Sequence, residues 1–262
     1  MRLNGTTVLI TGASSGIGSE LARQLADLDC RLILIARNEQ RLQQLATELA
    51  APGKSHIVLP CDVSKHENVK NVCQSLLTQD ILPDVLILNA GMSAGFSAVD
   101  MNVQEIEYEF SVNFFSHLYF LKYLLPPMLE RQYGLVAATG SLAGYRAMPQ
   151  AAPYSASKAA LAVFLEGLRV DLWSSGVKFC LISPGFVKTA MTEKHEFYMP
   201  FLMPVERAAK IIIRGLEREK PEIRFPYPLS ILMSIIRFMP DNLYARLIHN
   251  ARKIGKKNAS TD

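Results

Sequence analysis

Short apolar runs alternate along the chain with longer segments in which apolar residues recur with helical spacing. The short runs predict β-strands, and the longer periodic segments predict amphipathic helices. The predicted strands are Thr7–Thr11, Arg31–Ala36, His56–Pro60, Val85–Asn89, Leu135–Thr139, Val177–Ile182 and a short seventh, Glu222–Phe225. The predicted helices are Gly16–Asp27, Glu39–Ala50, Glu67–Leu77, Val103 to about Arg131, Tyr154–Trp173 and Val205–Glu219.

The predicted strands are continuous apolar runs rather than alternating polar and apolar positions. This is typical of strands that helices cover on both faces of the sheet. Strands alternating with helices predict the α/β class, with a doubly wound parallel β-sheet (Rossmann fold) in a single domain over residues 1–225. Within the helical stretch that begins at Val103, Pro126-Pro127 should kink or break the helix near its end.

The C-terminal part of the chain has a different pattern. Pro226-Tyr227-Pro228 leads into the apolar run Leu229–Met239, and Leu243–Ile254 follows with a basic tail. We expect residues 226–262 to form a helical extension packed on the same domain. It could cover a substrate pocket, form a subunit interface, or lie on a membrane surface with its cations near anionic headgroups. The first run is too short to span a bilayer.

Composition and charge exclude several classes of protein. The chain is 49% hydrophobic and 20% charged, which supports a sizeable core and excludes a disordered or collagen-like chain. The formal net charge is +4, but residues 237–257 alone carry +5, since six basic residues stand there against Asp241. The rest of the chain therefore sums to −1, and we expect no nucleic-acid partner.

Cysteine and histidine usage points to a cytoplasmic protein without a metal. The four cysteines are scattered without a C-x-x-C pair, as expected of reduced, buried thiols. The first apolar run is too short for a signal peptide, and no run of 18 or more apolar residues predicts a membrane span. The five histidines form no H-E-x-x-H motif, and His195 is expected to be a solvated loop residue.

A glycine-rich turn follows the first predicted strand, and a helix starts inside it. Gly12 permits the tight turn, Gly16 lets the backbone approach a pyrophosphate, and Gly18 allows close packing of helix on strand. The first N–H groups of the helix then point at the phosphates. The spacing differs from G-x-G-x-x-G, so an ordinary Gly/Ser loop is the alternative. The position directly after the first strand favours dinucleotide binding.

The end of the second predicted strand indicates which dinucleotide binds. An acid there would bind the ribose 2′-hydroxyl of NAD, whereas a base accommodates the 2′-phosphate of NADP. The strand ends in Ala36-Arg37-Asn38, without an acid. NADP(H) is therefore the expected cofactor, although Arg37 could also merely solvate a strand end.

Tyr154 and Lys158 stand four residues apart, so both side chains lie on one face of a helix. A nearby ammonium group favours the phenolate, and we expect Lys158 to lower the pKa of Tyr154 from about 10 toward neutral pH. Ser141 precedes them after the fifth strand and can hold a carbonyl oxygen in front of the phenol. Taken alone, Y-x-x-x-K also occurs by chance as a surface pair.

Seven motifs occur together in a fixed order. They are Thr11–Gly18 (TGASSGIG), Asp62-Val63, Asn89-Ala90-Gly91, Asn113, Ser141, Tyr154–Lys158 (YSASK) and Pro184-Gly185. In order and spacing the sequence resembles the short-chain dehydrogenases/reductases, in their single-domain branch, over about residues 5–225. Many members end in a short apolar strand with a Gly-Gly signature that helps to form a tetramer, and this chain lacks it. A homodimer or homotetramer is expected, with a dimer through the helices around Asn113 and Tyr154 remaining reasonable.

The resemblance implies roles at the matching positions. For catalysis it implies Tyr154 as the general acid and Ser141 as the donor that orients the carbonyl group. It implies Lys158 as a ligand of the nicotinamide ribose and Asn113 as the residue that holds a relay water. On the pyrophosphate and adenosine side it implies Thr11, Gly12, Ser14, Ser15, Gly16, Ile17 and Gly18. At the adenine ring it implies Asp62 and Val63, and at the adenosine ribose side Asn89, Ala90 and Gly91. At the nicotinamide amide it implies Pro184, Gly185, Val187 and Thr189.

The segment Met191–Met203 matches the family's variable substrate lid and is rich in Met and aromatic residues, Phe197, Tyr198 and Phe201 among them. Core packing under a loop is the alternative, because Met and Phe also fill irregular gaps.

The expected activity is NADP(H)-dependent hydride transfer to a small-molecule carbonyl compound, with lipophilic compounds among the possible substrates, or the reverse alcohol oxidation. An NADPH-binding sensor and a membrane- or partner-docking protein without turnover are the alternatives.

Overall fold

The apolar runs of the sequence form strands whose side chains are buried; in the second strand every residue after Arg31 is buried. In the computed structural model, which describes residues 1–50, 56–193 and 199–258, seven parallel strands form one sheet in the order β3-β2-β1-β4-β5-β6-β7. The strands are β1 Thr7–Thr11, β2 Arg31–Ala36, β3 Ile57–Pro60, β4 Val85–Leu88, β5 Gly134–Thr139, β6 Val177–Pro184 and β7 Glu222–Phe225. The predicted doubly wound parallel sheet is confirmed.

Helices cover both faces of this sheet. They are α1 Gly16–Asp27, α2 Glu39–Glu48, α3 His66–Thr78, α4 Val103–Phe110, α5 Ser116–Glu130, α6 Ala152–Asp171, α7 Val205–Glu217, α8 Tyr227–Ile236 and α9 Asp241–Asn258. Side chains alternate along each strand, so Val8 and Ile10 join the core layer under α1, α2 and α7. Leu9 between them joins the layer under α3, α5 and α6. The strand order reverses between β1 and β4, which is where ligands bind in folds of this kind.

The long helical stretch predicted over Val103–Arg131 is not one uniform helix. A π-helical turn, Ser111–Phe115, separates α4 from α5. Of the kink or break expected at Pro126-Pro127, the break does not occur, because α5 continues through both prolines to its end at Glu130. Leu124 and Met128 on either side of the prolines are fully buried, and this packing holds the helix in place despite the missing N–H groups. The irregular part of the stretch thus lies at the π turn.

The C-terminal segment packs on the segment that follows β5. Leu229 and Met233 of α8 form a small apolar cluster with Leu142. At the start of α9, Arg146 forms an ion pair of 2.7 Å with Asp241. The division of the chain at residue 225 stays a prediction, and residues 259–262 lie outside the described part. Among the described residues, no helix is both long and apolar enough to cross a membrane.

Candidate active site

The ends of three strands are tied together beside the glycine turn. Thr11, the last residue of β1, accepts hydrogen bonds at Oγ1 from the backbone N–H groups of Asn89 (2.9 Å) and Ala90 (3.0 Å). Asn89 Nδ2 donates to the Thr11 carbonyl at 3.2 Å, and Thr139 Oγ1 at the end of β5 donates to Asn89 Oδ1 at 3.2 Å. The predicted residues Thr11 and Asn89–Gly91 therefore meet at the carboxyl edge of the sheet.

The glycine turn depends on close backbone approaches that only glycine, with no side chain, allows. A Cβ on Gly18 would lie 2.3 Å from the Gly12 carbonyl oxygen, so α1 can approach β1 only without one. A Cβ on Gly16 would lie 3.2 Å from Cγ2 of Thr189, which brings the predicted nicotinamide-side residue to the phosphate side of the site. Gly12 and Gly16 both have positive φ, at 67° and 56°, a backbone region in which glycine is favoured.

The start of α1 fits a dinucleotide phosphate. Ser15, the N-cap residue, makes no side-chain capping hydrogen bond, and the first turn of this helix carries no acid. Its first N–H groups and the positive end of the helix dipole therefore suit an anion. Ser14 is half-buried, Ser15 is exposed and Ile17 is half-buried, so these residues border the cradle that the glycines leave.

Two predicted adenosine-side residues lie at the ends of β2 and β3. Arg37 follows β2, is exposed, and donates from Nη1 to the hydroxyl of Tyr108 on α4 at 2.7 Å. Asp62 follows β3 and accepts from both the backbone N–H and the hydroxyl of Ser64 (3.1 and 2.8 Å). Val63 beside it is buried. The positions suit an adenosine end, with a cation rather than an acid after β2.

Asn113 lies inside the π turn and is completely buried. Its Oδ1 accepts from the Met92 N–H at 2.8 Å, and its Nδ2 donates to the Met92 carbonyl at 2.9 Å and to Ser157 Oγ at 3.1 Å. These bonds fix the loop after β4 against α6. π turns are frequent at functional sites. That Asn113 holds a relay water stays a prediction.

Lys158 is 2% exposed and donates from Nζ to the Thr139 carbonyl at 2.7 Å. A Cβ on Gly91 would lie 3.3 Å from both Lys158 Nζ and Asn113 Oδ1, so these two polar groups converge on a backbone without a side chain. Burial lowers the pKa of Lys158 to about 8, against the opposing effect of the Glu109 carboxylate. Lys158 therefore loses its proton more readily than an ordinary lysine.

Tyr154 is half-buried, and Lys158 Nζ lies 5.8 Å from the centre of its ring. Burial raises the pKa of Tyr154, the hydrogen bond with Ser141 lowers it, and the Glu109 carboxylate raises it. The expected lowering by Lys158 is not found, because burial of the phenol is the largest effect and the pKa of Tyr154 is raised. Ser141 also accepts from the Ala143 N–H at 3.1 Å, which orients its hydroxyl.

The profile of the short chain dehydrogenase family matches residues 6–197, a span that includes the glycine turn, Asn113, Ser141, Tyr154 and Lys158. The chain belongs to the short-chain dehydrogenase family. An uncharacterized oxidoreductase of Myxococcus xanthus is 34% identical to it over 238 residues, which are 91% of this chain and 94% of that protein. The chain is therefore an oxidoreductase built on a nucleotide-binding Rossmann fold.

Two further comparisons extend the picture of this short-chain dehydrogenase. Human epidermal retinol dehydrogenase 2 is 31% identical over 243 residues, covering 90% of this chain and 79% of that protein. A solved short-chain dehydrogenase from Sphingobium yanoikuyae in complex with NADPH is 25% identical, with a TM-score of 0.79. That alignment covers 90% of this chain and 97% of the other.

Glu109 is a site residue of this short-chain dehydrogenase that the sequence analysis did not find. It lies one turn before Asn113, is 1% exposed, and is 3.5 Å from Asn113 Nδ2. Burial raises the pKa of its carboxyl, while the Ala94 N–H and the charge of Lys158 lower it. A cavity of about 280 Å³ opens beside it. A carboxylate four residues before Asn113, on the same helical face, was the available signal.

The residues predicted for the nicotinamide side lie in apolar packing. A Cβ on Gly185 would lie 2.8 Å from Cδ2 of Leu229, so α8 approaches the end of β6 closely. Val187 is 4% exposed, forms a bridge with Met203 and belongs to the core layer. Its predicted contact with the nicotinamide amide stays a prediction. Pro184, the last residue of β6, is buried.

The expected substrate lid divides into two kinds of residue. Met203 is buried in the core, as in the packing alternative. Met191, Phe201 and Leu202 are exposed, at 39%, 55% and 45%, as a mobile or ligand-covering segment would have them. His195, Phe197 and Tyr198 fall within residues 194–198, which lie outside the described part of the chain.

Proposed function

We propose that this short-chain dehydrogenase is an NADP(H)-dependent carbonyl reductase, which also runs the reverse alcohol oxidation. The observation that carries the proposal is the meeting of Tyr154, Ser141 and Lys158 beside a glycine turn with room for a pyrophosphate. Ser141 lowers the pKa of Tyr154 against the effect of burial, and Lys158 Nζ lies 5.8 Å from the centre of the tyrosine ring. A passive nucleotide sensor would need the turn but not these three groups.

The bound nicotinamide would supply or accept the hydride. Thr11–Gly18 would hold the pyrophosphate, and Lys158 the nicotinamide ribose. Ser141 would orient the substrate carbonyl, and Tyr154 would give its phenolic proton to the carbonyl oxygen as negative charge develops there. Donors aimed at that oxygen stabilise the transition state more than the ground state. A raised tyrosine pKa keeps the proton in place until then.

The preference for NADP(H) over NAD(H) rests on the end of β2. Arg37 is exposed at this strand end, where Ala36-Arg37-Asn38 holds no acid, and its guanidinium donates a hydrogen bond to the Tyr108 hydroxyl. A guanidinium binds a phosphate in a planar, two-pronged geometry. The NADPH bound to the Sphingobium yanoikuyae relative supports the same preference.

Lipophilic carbonyl compounds are the proposed substrate class. Ser141 is followed by Leu142, which packs with Leu229 and Met233, and Tyr145, Met148 and Phe186 surround this cluster. Apolar walls with few polar groups are typical of sites for apolar ligands. The human relative named for retinol supports this class.

Assembly as a homodimer through α5 and α6 is part of the proposal. Val163 and Val170 lie seven residues apart on one face of α6 and are 65% and 71% exposed. Phe115, next to the start of α5, is 42% exposed. Exposed apolar residues grouped on neighbouring helices are typical of subunit interfaces.

The decisive experiment measures NADPH oxidation with aliphatic, aromatic, steroid and retinoid carbonyl compounds, for the wild type and Tyr154→Phe. The variant keeps the ring and removes the acid, so turnover should fall about 10²- to 10⁴-fold while the Kd for NADPH stays within about threefold. Tyr133→Phe, on an exposed tyrosine beyond α5, is the control and should match the wild type. Turnover that survives in Tyr154→Phe would remove it as the acid, and NADPH binding without any turnover would favour the sensor.

A further inference from the structure

Helix α8 has two apolar faces, and only one of them is covered. Its sequence YPLSILMSII carries no charge, and such a helix is normally buried on all sides. Leu229 and Met233 are buried against Leu142. On the other side, the exposed fractions are 74% for Tyr227, 42% for Ile231, 49% for Leu232 and 64% for Ile235.

Further exposed apolar side chains follow α8 in the chain. Phe238 directly after it is 85% exposed, and Leu243 and Leu247 on α9 are 52% and 46% exposed. The last two lie four residues apart, on one face of their helix. Together Tyr227, Ile231, Leu232, Ile235, Phe238, Leu243 and Leu247 form what we call the C-terminal apolar face. Exposed apolar side chains grouped in one segment of this kind are typical of an interaction surface.

The charges around the C-terminal apolar face have one sign. Arg224 before α8, Arg237 after it and Arg246 on α9 are all exposed. Four more basic residues, Arg252, Lys253, Lys256 and Lys257, follow in the sequence of α9. Asp241 is the acid of this segment, and it is paired with Arg146 at 2.7 Å. Arg224 also lies 3.8 Å from the Glu222 carboxylate. Arg237 and Arg246 therefore supply exposed positive charge beside the apolar face.

We propose that the C-terminal apolar face docks this enzyme on an anionic phospholipid bilayer. Apolar side chains would enter the interface, and the surrounding cations would meet the headgroups. A second copy of the chain fits less well, because symmetric pairing of this face would place its basic border against an equally basic border. Docking does not require the proposed reaction, so each can fail without the other.

Sedimentation of the full-length protein with vesicles tests the proposal. One set of vesicles is phosphatidylcholine alone, and the other contains about one third phosphatidylglycerol. We expect binding to the anionic vesicles to be at least tenfold tighter, to weaken at high salt and to weaken again in Arg246→Gln. Equal binding to both vesicles, or no binding to either, would overturn the proposal.

Serine variants distinguish vesicle binding through the C-terminal apolar face from nonspecific binding by any exposed apolar residue. Phe238→Ser should weaken vesicle binding about tenfold, and Ile235→Ser/Phe238→Ser further, with unchanged thermal unfolding, since both side chains are exposed. The matched control is Trp173→Ser, an aromatic residue of 78% exposure that follows α6 and precedes the start of β6, far from the strand ends next to α8. The control should bind like the wild type.

Light scattering, which measures the oligomeric state, tests whether the C-terminal apolar face instead joins two copies of the chain. If Ile235→Ser/Phe238→Ser turns a dimer into a monomer while vesicle binding is absent, the face is a contact between two copies and the membrane proposal is wrong. If the double variant loses vesicle binding and keeps the oligomeric state of the wild type, the proposal stands. Equal loss in Trp173→Ser would also overturn it, since the effect would then be unrelated to the C-terminal apolar face.

Discussion

Glu109 and Lys158 are two buried charges of opposite sign in one site, at 1% and 2% exposure. Each shifts the other's pKa: the carboxylate raises that of Lys158, and the ammonium lowers that of Glu109. The carboxylate also raises the pKa of Tyr154. Glu109 is thus a positioning residue that acts on the proposed acid through charge and through its contact with Asn113.

Replacing Glu109 by Gln should move the alkaline limb of the pH profile to lower pH. Without the carboxylate, the pKa of Lys158 falls further below about 8 and that of Tyr154 falls too, so both protons are lost earlier. We expect a shift of about one pH unit in kcat/KM for carbonyl reduction. Glu105→Gln, one turn earlier and exposed beside the same cavity, is the control. An unchanged limb in Glu109→Gln would rule out this role.

Arg37 should decide between the two dinucleotides. Arg37→Gln removes the charge that would meet a 2′-phosphate, so we expect the KM for NADPH to rise about 10- to 100-fold and that for NADH to stay unchanged. Arg31→Gln, at the exposed opposite end of β2, serves as the control. If both KM values rise together in Arg37→Gln, the arginine does not discriminate at the 2′-position.

Sequence reasoning found residues that stand in short local patterns and missed those that depend on distant contacts. Tyr154 and Lys158 share one helical face, so their proximity follows from spacing alone. The Thr139 carbonyl that binds Lys158 and the burial of Glu109 depend on how β5 and α4 pack on α6. The expected effect of Lys158 on the pKa of Tyr154 failed for the same reason, since desolvation is a tertiary property.

At the scale of the element, the same substitution should have opposite effects in two helices. Gly18→Ala places a methyl 2.3 Å from the Gly12 carbonyl oxygen at the start of α1, so stability and NADPH affinity should both fall. Gly167→Ala in α6 meets no atom within 4 Å, and the gain in helix propensity should raise the free energy of unfolding by about 0.5–1 kcal/mol.

Urea unfolding and NADPH titration of the two glycine variants check this pair. Wild-type NADPH affinity in Gly18→Ala would show that the close approach of α1 to β1 is not needed for phosphate binding.

The strand and helix boundaries that the sequence predicted for β1, α1 and β2 are confirmed. The π turn was missed because a single extra residue leaves the apolar spacing on either side almost unchanged.

At the scale of the whole molecule, strand order follows from the alternation of strands and helices together with right-handed crossovers, which leave few arrangements of a parallel sheet. Which helix faces stay exposed cannot be derived from the alternation of strands and helices. The apolar pattern of Leu229–Met239 was compatible with a pocket cover, a subunit interface or a helix on a membrane surface, and the structure divides it into a buried and an exposed face.

Val163→Glu should prevent the proposed dimer. A carboxylate at this exposed position of α6 would have to be buried against the partner helix, which is costly without a compensating charge. Light scattering should show the wild type as a dimer or larger and the variant as a monomer. Val99→Glu, on a fully exposed residue outside the helices, should leave the mass unchanged. A variant of wild-type mass would place the interface elsewhere.

The two faces of α8 have a consequence for how the enzyme would be measured. Its buried face adjoins Leu142, the residue after Ser141, while its exposed face is the one we assign to a bilayer. A lipophilic carbonyl compound partitions into that bilayer, so its supply to the site depends on its mole fraction in the lipid. Adding inert lipid at constant substrate would then slow the reaction. The rate of the enzyme would then depend on the mole fraction of substrate in the lipid rather than on the substrate concentration in water.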